Sequence, residues 1–519
     1  MKRVFQLMMM LLASVTSFSC GGNDVDEGSP SAPTTSSVNL LFQSIDEGAE
    51  LDAKTTTMLS LTYNSAVRLT GTGITLNGVN IKATSNAAKV EIPLALEAGN
   101  AYILKMEKGS VISASDATAS APEFTLNFST KGVVQPGTTE NEAITLAKRL
   151  GWGWNLGNHF DTSSGEDGKH PQWGYWDKAT PTSTLYFNLK QAGVSTVRIC
   201  VTWGNYQNTQ TWEIESDYMA EVKQNVEWAE AVGLNVILNL HHDEYWLDIK
   251  GAANNSTLNT AIKERIEKTW KQIAEIFKDK GDFLFFESFN EIQDGKWGWG
   301  DNRTDGGKQY KTLNEWNQLV VNTIRETGSN NATRWIGIPG YASSPTFVLD
   351  ENFVLPTDAA NRLMVSVHFY DPSNFTLTPE NNDGKSEWGH TAASGKFQGG
   401  SNEDHVVDVF GKLYEKFIAK NIPVYIGEYG CVKHTTERSN LFRNYYLEYV
   451  CRAAHTYKMP VCVWDNNVTG GGNEHHAYFN HNDGTYQEGM EPVVQTMIKA
   501  ATSDDTNYTL DVVYSNAPK

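Results

Sequence analysis

Two glutamates stand where apolar runs end. "FLFFESFNEI" (Phe283 to Ile292) is mostly apolar until it reaches Asn290 and Glu291, and "IPVYIGEY" (422–429) is apolar until Glu428 and Tyr429. Buried charge is costly unless it is paired or used. Two carboxylates brought face to face suit hydrolysis of a glycosidic bond, one protonating the leaving oxygen while the other attacks the sugar. Further polar groups sit on similar runs. "VSTVRICV" (194–201) carries Arg198, "LNVILNLH" (234–241) ends in His241 with His242 beyond it, "RLMVSVHF" (362–369) ends near His368 and Tyr370, and "MPVCVWDN" (459–466) carries Trp464. In such a scheme Arg198 holds one carboxylate ionised and Tyr429 hydrogen-bonds a carboxylate. Asn290 takes a sugar hydroxyl, the imidazoles position hydroxyls or share protons, and Trp464 offers a flat face to the ring.

Only one arrangement gathers so many strand ends at one place. From about Asn141, apolar runs alternate with amphipathic segments. The strand candidates are completed by 151–158 and 333–340, with 283–290 as the strand within the first run. "MAEVKQNVEWAEAVG" and "LNTAIKERIEKTWKQIAEIFKDKG" are the clearest helices, each closing at a glycine. Eight such units predict a (β/α)8 barrel over 141–502, whose strand C-termini share one face. A doubly wound open sheet is the rival, and "GWGWNLGN" is a poor match to its phosphate loop.

Upstream, 38–131 is built of short alternating runs such as "MLSLTYN" and "AYILKME", punctuated by Gly, Asn and Asp. This predicts an all-β immunoglobulin-like sandwich, with 132–140 as a linker and 503–519 as a C-terminal tail. The sandwich reads as a spacer rather than a glycan binder. Residues 1–20 form a positively started, apolar targeting segment too short to span a membrane. They lead to Cys20, and 21–37 reads as a flexible linker. The segment resembles a bacterial lipoprotein signal in which Cys20 is lipidated, and the acidic residues after it are similar to the surface-export signal of Bacteroidetes lipoproteins. The expected location is the cell surface, anchored to the outer membrane by lipid, with a periplasmic or secreted protein as the alternative.

Composition narrows the partners. The 519 residues carry a net charge of −19, which argues against nucleic acid. Membrane contact is expected only through the lipid, and a monomer is expected. Cys200, Cys431, Cys451 and Cys462 lack CxxC spacing; buried thiols are the default reading and a disulfide stays open. "HHDE" (241–244) has the residue types of a metal cluster, but neighbouring strand residues face opposite ways, so no metal and no cofactor are expected. Trp203, Tyr245, Trp246, Trp297, Trp299 and Tyr341 crowd the loops after the strands as candidate sugar platforms. Of these, Trp203 and Trp297 are the preferred substrate contacts. His475 and His476, in the Gly-rich loop "TGGGNEHH", are candidate rim contacts.

"FESFNEI" resembles the strand-four Asn-Glu motif of glycoside hydrolase family 5, and "YIGEYG" its strand-seven nucleophile motif. "GWGWNLGN", "VRICVTW", "VILNLHHD", "VSVHFY" and "VCVWDNN" are similar to other family positions, in order. Ile292 replaces the proline that follows Asn-Glu in many members. The resemblance covers about 141–500. It implies that Glu291 is the acid/base and Glu428 the nucleophile of a retaining double displacement. It also implies that Arg198, His241, Asn290, His368, Tyr370 and Trp464 line the cleavage subsite. The expected activity is endo-β-1,4-glycanase on plant cell-wall β-glucans: cellulose-like glucan, mixed-linkage glucan or xyloglucan. The alternatives are an endo-β-mannanase on the same fold, or a non-catalytic surface glycan-binding lipoprotein.

Overall fold

The computed structural model describes residues 37–53, 56–137, 139–164 and 173–519, in two compact units, 1–132 and 133–519. The targeting segment, Cys20 and most of the first linker lie outside the described residues.

The first unit consists of β-sheets. One has four strands, in the order Leu40–Gln43, Met58–Tyr63, Lys89–Pro93, Thr84–Asn86; another has five, and Val67–Leu69 pairs with Val111–Ser113. Alternation drives the burial: Leu59, Leu61 and Tyr63 point inward from one strand, and Tyr102, Leu104 and Met106 from another. The five-stranded sheet is mixed, because Ala49–Leu51 runs parallel to Phe124–Thr130. A purely antiparallel arrangement, as the alternating runs suggest, is therefore not what forms.

The second unit is a closed barrel of eight parallel strands. They are β1 (Trp152–Leu156), β2 (Thr196–Ile199), β3 (Asn235–Asn239), β4 (Leu284–Glu287), β5 (Ile336–Pro339), β6 (Leu363–Phe369), β7 (Val424–Tyr429) and β8 (Val461–Val463), with β8 closing on β1. Helices cover the outside, so both faces of the strands are buried. The helix Ser256–Phe277 is typical. The Asn255 side chain caps its first turn, and Ile262, Ile266, Trp270, Ile273 and Phe277 form the buried stripe.

The two ends of the barrel differ. At the N-terminal end Ile237, Phe285, Met364, Tyr425 and Cys462 pack against Leu146 and Leu150 of the helix Glu142–Leu150, which plugs the bottom. The expected linker is fastened to this unit at two points, since Tyr457 Oη donates to the Val134 carbonyl and Gly137 N–H to Tyr414 Oη. The expected tail is fastened as well. Helix Leu510–Ser515 buries Val513, and Arg438 Nη1 donates to the Lys519 carbonyl. The four cysteines are buried and unpaired.

Candidate active site

The site is organised around Arg198, fully buried on β2. Its Nη2 donates to Glu287 Oε1 (2.6 Å) and Asn290 Oδ1 (2.7 Å). Its Nη1 donates to Glu428 Oε1 (2.7 Å) and Asn155 Oδ1 (3.0 Å). Glu287 lies inside the apolar run of β4. It also accepts from Asn239 Nδ2 (3.1 Å), Ser366 Oγ (3.2 Å) and the hydroxyl of Tyr425. Burial pushes its carboxyl up, but the Arg198 guanidinium more than offsets this and holds it below the usual carboxylate range. With Glu287 taking one edge of the guanidinium, the other is left for Glu428.

Glu428 accepts a second bond from Tyr370 Oη (3.0 Å). Glu291 sits across the mouth with 17% of its side chain exposed, and its carboxyl lies 2.6 Å from His368 Nδ1. An oxygen of Glu291 lies within 4.8 Å of an oxygen of Glu428. Burial, reinforced by Glu244, pushes the Glu291 carboxyl up to about 8, while burial pulls the His368 imidazole down to about 4. Glu291 therefore keeps its proton at neutral pH, with His368 as its acceptor. The geometry is that of a protonated carboxyl and a second carboxyl across one cleft.

His241 and Trp464 stack with ring centroids 5.7 Å apart and planes 2° from parallel. Gly157 permits this. A Cβ there would meet the Trp464 ring at 2.8 Å and the Asp465 carbonyl at 2.7 Å. The tautomer of His241 follows from its neighbour. Val201 N–H donates to Asn239 Oδ1, so it is Asn239 Nδ2 that donates to His241 Nδ1 (3.0 Å). Nδ1 is then the acceptor and Nε2 carries the hydrogen.

Among the described residues, two groups bring metal-ligating atoms within 4.8 Å of one another: Asp161, His241 and His242, and Glu291, His368 and Glu428. In the tautomer that Asn239 sets, His241 carries its hydrogen on Nε2 toward the first group, and Glu291 meets His368 within the second. β3 ends at Asn239, so both histidines follow the strand and their rings lie 4.4 Å apart. The alternation expected of residues still within a strand does not apply to them. Burial opposes charge on the half-exposed His242, but Glu244, Asp161 and Glu291 outweigh it and raise it to about 9.

Arg198, His241, Asn290, Glu291, His368, Tyr370, Glu428 and Trp464 are thus brought to one end of the barrel. Other expectations are corrected. Tyr429 faces away from Glu428, as alternation on β7 requires; Trp152 Nε1 donates to its hydroxyl (2.8 Å). Trp203 is completely buried, donating from Nε1 to the Asn239 carbonyl, and Tyr341 is buried against Gln309. Both fill the core of the loops. His476 is buried too. Trp297 and Trp299 remain open to solvent at 58% and 70% exposure. Sequence reasoning missed Asn155, Asn239, Asp161 and Glu287. The signal available for three of them was a polar residue inside an apolar run.

The family pattern Cellulase (glycosyl hydrolase family 5) matches residues 157–470. The chain belongs to glycoside hydrolase family 5. It is a glycoside hydrolase. This family 5 chain is 31% identical over 378 residues to Endoglucanase A of Paenibacillus barcinonensis, which covers 68% of this chain and 90% of the relative. It is 32% identical to the Xyloglucan-specific endo-beta-1,4-glucanase BoGH5A of Bacteroides ovatus, over 64% of this chain and 66% of that one. Among solved structures, a GH5-4 broad specificity endoglucanase from Bacteroides salanitronis is 45% identical, with a TM-score of 0.66, over 71% of this chain and 97% of its own. A Bacteroides ovatus GH5 xyloglucanase in complex with a XXXG heptasaccharide is 25% identical, with a TM-score of 0.63, over 90% of this chain and 100% of its own.

Proposed function

We propose that this family 5 hydrolase is a retaining endo-β-1,4-glucanase acting on plant cell-wall β-glucans, with xyloglucan, mixed-linkage glucan and cellulose-like glucan as the substrate class. The observation that carries the reading is the approach of the Glu291 and Glu428 oxygens to within 4.8 Å. Retaining enzymes hold their carboxyl groups roughly 5–5.5 Å apart, and inverting enzymes hold them wider to admit water. Glu428 attacks the anomeric carbon as the bond to the leaving oxygen breaks, and Glu291 gives its proton to that oxygen. A covalent glycosyl ester on Glu428 results. Glu291, now deprotonated, takes a proton from water. The water oxygen bonds to the anomeric carbon, and Glu428 leaves as carboxylate.

The other groups fit these steps. Arg198 and Tyr370 aim Glu428, Asn290 and His241 meet sugar hydroxyls, and Trp464 stacks on the ring in the cleavage subsite. The endoglucanase and xyloglucanase names among the relatives support the substrate class. The test is reducing-sugar release on a panel of xyloglucan, mixed-linkage glucan, carboxymethyl-cellulose and mannan, with the anomer of the first product followed by NMR. Release of the β anomer from the glucans is expected. Initial α product would sink the retaining mechanism, release from mannan alone would sink the glucan assignment, and binding without release would leave a glycan-binding lipoprotein.

The N-terminal sheets belong in this proposal as an immunoglobulin-like spacer, and Cys20 as the lipidated residue that holds the enzyme on the outer membrane. Among the described residues no helix is long and apolar enough to cross a membrane. Mass spectrometry of the mature N-terminus tests the anchor. An unmodified terminus would end it.

A further inference from the structure

Asp161 follows the loop after β1 and is completely buried. Its backbone is pinned. Thr202 Oγ1 donates to its carbonyl, and Thr202 N–H and Tyr218 Oη donate to the carbonyl of Phe160 beside it. Its side chain is another matter. Neither carboxylate oxygen has a hydrogen-bond partner among the described residues. His242, raised to about 9, is a nearby countercharge and the Asn158 and Asp161 amides face the carboxyl, yet none of them reaches direct hydrogen-bond geometry, so the carboxylate oxygens are left open to a small polar group.

The neighbouring donor is His241. Its Nε2 lies 3.8 Å from Asp161 Oδ2 and 4.0 Å from Glu428 Oε1. Both distances are too long for a direct hydrogen bond, and both suit one bridging oxygen at roughly 2.8 Å from each group. The three groups also match such an oxygen chemically. Nε2–H donates to it, and each hydrogen it carries goes to a carboxyl oxygen: a water serves both carboxyl groups, and a sugar hydroxyl serves one.

We propose that Asp161, His241 and Glu428 form a binding site for a single hydroxyl oxygen, with Asp161 as a positioning residue for the reaction at Glu428. The oxygen is either a hydroxyl of the sugar in the cleavage subsite or a water molecule. A water held by Asp161 turns its second hydrogen to Glu428, whereas a sugar hydroxyl gives Asp161 its one hydrogen and is placed beside Glu428 by that bond. The proposal rests on Glu428 being the nucleophile.

The experiment compares wild type, Asp161→Leu and Asp161→Asn on an aryl β-cellobioside. It is repeated on analogues in which each hydroxyl of the cleavage-subsite sugar is replaced in turn by hydrogen. Asp161→Leu is expected to lower kcat/KM on the parent about 10–100-fold, and Asp161→Asn less. If the oxygen belongs to the sugar, the loss disappears on one deoxy analogue. If it is water, the loss is the same on every analogue. A high-resolution crystal structure of the wild type then shows that water between the three groups. A uniform loss without such a water means a merely structural role and overturns the proposal. So does a variant that turns over the parent like wild type. Where Asp161→Leu does not fold, Asp161→Asn decides by the same criteria. Wild type inert on the parent glycoside would remove the retaining-glucanase reading, and this proposal with it. Wild type active alongside an unaffected variant removes the proposal alone.

Discussion

Two buried clusters in this barrel pair carboxyl groups with imidazoles, and they settle the proton in opposite places. At the mouth, His368 meets one carboxyl closely, Glu291 at 2.6 Å, with the Arg198 charge nearby. There the carboxyl rises to about 8 and the imidazole falls to about 4. Behind the mouth, His481 lies between Asp177 (3.0 Å) and Asp465 (3.2 Å). Burial opposes its charge, but Asp465 and Asp177 outweigh burial and raise the imidazole to about 9. Asp177 bonds His159 as well and is held low, although burial works against it. Asp465 also accepts from Trp154 Nε1 and from the Tyr478 and Phe479 amides. Low dielectric alone discharges both groups of a pair. A second carboxylate, itself well solvated by amide donors, keeps the imidazole charged. The first arrangement makes an acid, and the second makes a clamp between the loops that flank Trp464.

Breaking each cluster has a distinct expected outcome. The largest is Glu291→Ala, which should lower kcat on unactivated glucans by about 10²–10⁴-fold. It should barely affect glycosylation by aryl glycosides with good leaving groups; equal losses on both would show that Glu291 is not the acid. Next is His481→Gln, which leaves two buried aspartates facing an uncharged amide and should cost about 3–5 kcal/mol in denaturant unfolding. The sign of its pH dependence is fixed. A folded-state value raised to about 9, against an ordinary 6.5, stabilises fully below 6.5 and loses that stabilisation as pH rises through 9. Wild-type stability should therefore decline over that window more steeply than that of His481→Gln, and parallel curves would show that the imidazole is not charged.

A smaller effect sharpens the mouth cluster. The kcat/KM of wild type on unactivated substrate should fall above about pH 8 as Glu291 loses its proton. That limb should be absent for activated substrates. A limb unchanged by the leaving group would assign it to another residue. The smallest effect is expected at an exposed tryptophan, set against a buried one. Trp297→Ala, at an exposed position, should change stability by no more than about 0.5 kcal/mol, whereas Trp203→Ala, in the core, should cost about 3–5 kcal/mol. Thermal melts of the pair test whether Trp297 is free to meet sugar.

Much of the site was legible because strand ends are legible. Apolar runs with a polar terminus identified Asn290, Glu291, His368 and Glu428, and barrel topology carries every such terminus to one face. Residues inside the runs were harder. Glu287 was hidden among phenylalanines because nothing local says that an inward-facing glutamate meets an arginine from another strand. Tyr429 was misread for the converse reason, since adjacency in the chain places it on the opposite side of β7 from Glu428.

The order of the elements and the parity of the strand residues are consequences of the amino-acid sequence alone, because period and chain order are local properties. The tertiary structure decided which carboxyl holds a proton, which tryptophan stays exposed and which is core, and which imidazole nitrogen bears hydrogen. Those depend on burial and on partners distant in the chain, and neither is encoded at any single position.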